Sequence, residues 1–102
     1  MTRVIVMFNL KPGIQPEQYE AWARSVDIPT VRQLAGVAGF TVHRSTGLLV
    51  GDGEAPYDYT EILDIEDMEA FLQTLGTEEM QTVAGEFQSM ALDPVFVKTE
   101  AL

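Results

Sequence analysis

The chain has 102 residues, one domain's worth over 1–102, and its 46% hydrophobic and 22% charged content is globular rather than disordered. Sixteen Asp and Glu against six Lys and Arg leave a formal charge of −10, which opposes nucleic acid and anionic membrane surfaces as partners and favours solubility. The absence of Cys excludes disulfides and thiolate metal sites.

The first apolar run, Val4 to Phe8, is too short for a signal segment or a membrane span, so a cytoplasmic location is expected. Val4 to Leu10 is rich in β-branched residues and ends at the turn Lys11-Pro12-Gly13, which predicts a first strand. Val4, Val6 and Phe8 share one face and Ile5 and Met7 the other, so both faces are expected to be covered. Pro16 suits the first position of a helix, and Tyr19, Trp22, Ala23 and Val26 form its apolar stripe. Asp27-Ile28-Pro29 is expected to end that helix, because a residue before proline avoids helical angles. Thr30 is expected to cap a short second turn holding Val31 and Leu34, which stops at Gly36.

Val37 to Val50 reads as a second strand, and Gly51 to Pro56 as a hairpin loop. Tyr57 to Ile65 reads as a third strand, with Tyr57, Tyr59, Glu61 and Leu63 on one face. Met68, Phe71, Leu72 and Leu75 have helical spacing and stop at Gly76. Thr77 suits the cap of a further helix, whose stripe is Met80, Val83, Ala84 and Phe87. Pro94 to Thr99 is the fourth strand expected. The order β-α-β-β-α-β predicts the α+β ferredoxin-like split, with helices on one sheet face only. A second copy is the simplest cover for the other face, which predicts a homodimer of the dimeric α/β-barrel type.

Over nearly the whole chain, the strings VIVMFNLKPG, YEAWARSVDIPTVRQL, FTVHRSTGLL and YDYTEILDIEDM resemble the RedY-like, or HapK, family of prodigiosin-type and bisindole pigment pathways. More distantly, Trp22, Asp27 and Pro29 are similar to the W…H-x-P stretch of EthD-like barrels, with Asp27 standing where those proteins carry His. The resemblance implies a dimeric α/β barrel of bacterial secondary metabolism, in antibiotic and pigment biosynthesis, that acts on an aromatic heterocyclic intermediate without a cofactor.

No phosphate loop or dinucleotide motif is present, and a single His is poor provision for zinc, so neither cofactor nor metal is expected; haem ligation by His43 is the one opening. His43 is the only side chain titrating near neutrality in its unperturbed state, and it lies mid-strand. Its alternative use is a hydrogen-bonded space-filler. Glu61 interrupts an apolar face, where a carboxylate is costly unless paired or functional; a pair with Arg44 or Lys98 is the structural alternative. Asp27 and Asn9 are candidates for orienting polar groups, against ordinary turn chemistry for both. Trp22, Tyr19 and Tyr59 are candidates for the walls of a substrate pocket, although aromatics at such positions are commonly core. Arg32, with Arg44, is a scarce positive charge able to hold a polarised oxygen or a surface ion pair. Gly47-Leu48-Leu49-Val50 suggests a dimer contact or pocket rim.

The favoured expectation is a cofactor-independent enzyme in which His43 and Glu61 move protons and Trp22 and Tyr59 stack on the substrate. A cofactor-free monooxygenase, or a non-catalytic carrier of a reactive intermediate, are the alternatives.

Overall fold

A computed structural model describes residues 1–102. Strand β1 (Thr2–Leu10) leads to helix α1 (Pro16–Trp22), a π-helical turn (Ala23–Asp27) and helix α2 (Ile28–Arg32). Strands β2 (Val37–Arg44) and β3 (Tyr59–Ile65) follow, then helices α3 (Met68–Thr74) and α4 (Glu78–Met90) and strand β4 (Ala91–Glu100). The sheet has four strands in the order β2-β3-β1-β4, every pair antiparallel. This is the α+β ferredoxin-like fold that the sequence predicts. No helix is long and apolar enough to cross a membrane.

Alternation along the two central strands decides which side the helices cover. Val6 and Phe8 of β1 and Tyr59, Glu61, Leu63 and Ile65 of β3 are buried under the helices. The core on that side has two halves. One gathers Phe8, Tyr19, Tyr59 and Phe87; the other gathers Val31, Phe40, Leu63 and Val83. The opposite face carries Ile5, Met7, Ile62, Val95 and Val97, and nothing in the chain covers it.

Three boundaries depart from the expectation. The first helix does not end at Asp27. The Ile28 N–H reaches back five residues to the Ala23 carbonyl, and the rod continues to Arg32. Pro29 stands at the junction of the π turn with α2, where the wider winding accommodates its ring within the continuous rod. Thr30 is therefore a helical residue, not a cap. Strand β2 stops at Arg44 rather than Val50, and β3 starts at Tyr59 rather than Tyr57. The Ser45 N–H to Asp58 carbonyl bond, 2.8 Å, is the last across that hairpin, and Gly47, Gly51 and Gly53 all have positive φ beyond it. Leu49 in that loop is fully exposed. Strand β4 starts at Ala91 rather than Pro94. A bulge between Met7 and Asn9 in the β1–β4 ladder, with Asp93 at φ 47°, admits the extra length, and Pro94 sits on an edge strand.

Candidate functional site

Between the helices and the sheet lies a cavity of about 270 Å³. Its walls are apolar apart from Asp27, Glu61 and Gln88. Val4 and Val6 form its floor; Val31, Phe71, Val83 and Phe87 form its roof and sides. Phe96 of the edge strand β4 stands at its rim, 61% exposed, with its ring edge-on to Phe87 at 6.4 Å.

Asp27 and Glu61 are the only buried charged residues of the chain, at 5% and 6% exposure. Strict alternation along β3 places Glu61 toward the helices, opposite Val42 on one side and Val6 on the other. Asp27 arrives by a different route. Tyr19, Ala23, Asp27 and Val31 are all buried, a spacing of four maintained for three steps. In a straight α-helix, residues four apart drift by about 40° per step, so such a stripe would turn away from the sheet. The π turn is wider and takes back part of that drift, which keeps Asp27 on the Tyr19 side.

The two carboxyls stand beside each other in the wall of the cavity. Burial is the main cause that pushes both up, Glu61 to about 8 and Asp27 to about 6. The Asp27 charge raises Glu61 further, whereas the hydrogen bond between them lowers Asp27. The pair together therefore holds one proton across neutral pH. The Tyr19 hydroxyl donates to Glu61 Oε2 at 3.0 Å, opposing the rise. Burial and the two neighbouring carboxyls hold Tyr19 itself far above the ordinary phenol range. An acid and a base thus stand side by side in an apolar chamber, the arrangement that lets one site donate and accept a proton.

The remaining candidates lie elsewhere. His43 faces Thr60 across the ladder while its neighbour Val42 faces Glu61, so His43 and Glu61 project from opposite sides of the sheet. His43 is exposed on the uncovered face, its Nε2 2.9 Å from Thr41 Oγ1. The expected His43–Glu61 pair does not form, because adjacent strands place adjacent register positions on opposite faces. Asn9 is a loop anchor outside the cavity. Its Nδ2 donates to the Pro56 carbonyl at 3.2 Å, and its Oδ1 accepts from the Asp58 N–H at 2.9 Å. Arg32 donates Nε to the Phe40 carbonyl at 2.9 Å, tying α2 to β2, and does not reach the cavity.

Tyr59 is buried, with its ring stacked on Phe8 at 5.6 Å and its hydroxyl donating to Glu20 Oε2 at 2.7 Å. That hydroxyl is the main cause holding Glu20 below its ordinary carboxyl range, with Arg44 adding to it at 2.9 Å. Tyr59, Glu20 and Arg44 belong to a separate polar hollow at the β2 edge. Arg44 is therefore spent on Glu20, not Glu61. Trp22 is half-buried, 6.0 Å from the Tyr19 ring, and does not line the cavity; its Nε1 is buried without a partner. Of the expected site residues, the structure brings Asp27 and Glu61 together in the cavity; Tyr19 bonds to Glu61 from behind but lines the polar hollow rather than the cavity. Phe96 and Gln88 were not anticipated; an exposed edge-strand aromatic and a glutamine beside a helix stripe give no signal in a single sequence.

The fold and the buried acidic pair define a ferredoxin-like α+β protein with a helix–sheet cavity. The same fold is found in a dimeric ferredoxin-like protein from Thermobifida fusca, with TM-score 0.74 and 17% identity over 98% of this chain and 90% of that one. It is found again in the hydroxynitrile lyase of Passiflora edulis, with TM-score 0.79 and 14% identity over 99% of this chain and 93% of that one. The family model for the REDY-like protein HapK matches residues 2–102. The crystal structure of HapK from Hahella chejuensis is 30% identical, with TM-score 0.78, over 100% of this chain and 93% of HapK. The chain belongs to the REDY-like HapK family. No curated protein matches it.

Proposed function

We propose that this protein is a cofactor-independent enzyme of bacterial secondary metabolism. It moves a proton on an aromatic heterocyclic intermediate of a prodigiosin- or bisindole-type pathway, leading to cyclisation or rearrangement. The observation that carries this reading is the Asp27–Glu61 pair, nearly fully buried at the wall of an apolar cavity. Burying two carboxyls without a cation destabilises the fold, and no Lys, Arg or His lines the space beside them. Glu61 is the acid, Asp27 the carboxylate that steadies positive charge on the substrate and then accepts a proton from it, which passes across the pair to restore Glu61, and Tyr19 holds Glu61 in place. Membership of the HapK family supports the setting. The working form is a homodimer joined through the uncovered sheet face.

The test is metabolic. A producing strain carrying Glu61→Gln in place of the native residue should lose an aromatic product and accumulate its precursor, as a deletion strain does. Positioned acid–base groups typically contribute about 10²–10⁴-fold in rate, so the loss should be near complete. An unchanged metabolite profile would remove the catalytic reading and favour a carrier that needs only the cavity.

A further inference from the structure

We infer that the cavity takes its ligand as a nitrogen-centred cation, paired with the Asp27 carboxylate beside the Glu61 acid. This rests on the cavity being the substrate site, and it adds the charge class of the ligand.

The groups facing Asp27 set the charge of the chamber. Glu61 faces it from β3, and Tyr19 of α1 stands behind Glu61. The walls supplied by β1, α2, β2, α3, α4 and β4 hold only apolar side chains and Gln88. No Lys, Arg or His lines the space. Four arginines are engaged elsewhere: Arg32 on the Phe40 carbonyl, Arg24 and Arg44 on Glu20, and Arg3 on Asp64. Asp27 makes no capping bond to α2, and its one partner is the other carboxyl. An Asp 95% buried by exposure, open to a cavity and free of any N–H donor, lacks a counter-charge.

Three ligand charges can be compared. An anion meets a carboxylate in a low-dielectric chamber and is excluded. A neutral apolar ligand brings no hydrogen-bond donor and leaves the Asp27 charge bare. A cation bearing N–H donors neutralises the chamber, and the apolar walls then strengthen the pairing. A planar nitrogen base arriving neutral becomes such a cation by taking the Glu61 proton: the O–H bond breaks, an N–H bond forms, and Glu61 keeps the electron pair, so that the new cation lies between two carboxylates.

Calorimetric titration of the full-length protein with three isosteres tests this. The probes are 2-naphthamidine as cation, 2-naphthamide as neutral form and 2-naphthoate as anion. At pH 7 the amidine should bind at least about tenfold tighter than the amide, and the naphthoate should not bind. Between pH 7 and pH 5 the affinity for the amidine should fall by roughly tenfold, as Asp27 takes up a proton. Asp27→Asn should erase both the preference and the pH step. If that variant does not fold, the wild-type ranking and pH step decide alone. Equal binding of the three probes, tighter binding of the naphthoate, or no binding of any overturns the inference. Equal binding beside a lost product in the Glu61→Gln strain leaves the proton-transfer reading standing. Amidine selectivity beside a normal metabolite profile does the reverse.

Discussion

Glu61 is a residue whose chemistry works against the stability of the fold around it. Its carboxyl is raised in the folded state and ordinary in the unfolded one, so the folded chain binds its proton more tightly. Stability from this group is fully present below the unfolded value and is lost as pH rises toward about 8. Asp27 adds to the same trend over a lower window, ending near 6. Thermal unfolding should therefore show the protein less stable at pH 8.5 than at pH 5.5. Glu61→Gln should flatten the slope and raise stability at pH 8.5 by about 2 kcal/mol. A slope unchanged by the substitution would mean that Glu61 is ionised and paired in the folded state. Tyr19→Phe tests the same group from its partner. The lost hydroxyl had lowered Glu61, so the alkaline limb of the activity profile should move to higher pH, with about 1 kcal/mol of stability lost as well. A limb that moves down or stays fixed would separate Tyr19 from the titration.

At the scale of elements, the alternation of β1 and β3 was legible because a period of two leaves little freedom once one face is apolar. Glu61 stood out for the same reason, as the polar break in an apolar row. Asp27 was legible as a candidate, but not as its partner. Proline rules end a helix before Pro29, whereas the π turn carries the rod through, and a single sequence has no mark for a residue accommodated in that way. The position of His43 relative to Glu61 depended on a cross-strand register that the fourteen-residue connection 45–58 does not reveal. Gly36 shows the opposite case, where the expected stop is structurally required. Its φ is +83°, a Cβ there would collide with the Asp67 carbonyl, and its own carbonyl accepts from the Glu66 and Asp67 N–H groups. Gly36→Ala should lower stability by about 2 kcal/mol or more in urea unfolding, through strain at positive φ as well as the clash. A loss of a few tenths would show that the 34–37 turn is free to rearrange.

The whole molecule leaves one sheet face bare, and that face sets the last expectation. Ile5, Met7, Ile62, Val95 and Val97 form an apolar centre across three strands. Arg3 and Asp64 sit at one end of it, paired at 2.7 Å and 3.1 Å. A two-fold partner presenting the same surface would bury roughly 1,200 Å² or more in total, the range of specific interfaces. Against this stands the charge: each copy carries −10, and bringing two together opposes association over distances that salt screens. An apolar interface between like-charged bodies should therefore tighten as salt rises. Sedimentation at micromolar concentration should show a dimer whose dissociation constant falls between 20 mM and 300 mM salt, on the order of tenfold. Ile62→Lys, at the centre of the face and pointing away from the cavity, should yield a folded monomer, because a desolvated charge at an interface core costs several kcal/mol. Ile62 neighbours Glu61 in sequence but lies across the sheet from it, so ligand binding in the cavity should survive that loss. A wild-type monomer at every salt concentration, or an Ile62→Lys variant that still dimerises, would place the interface elsewhere, with the exposed Leu48 to Val50 arm the next surface to substitute.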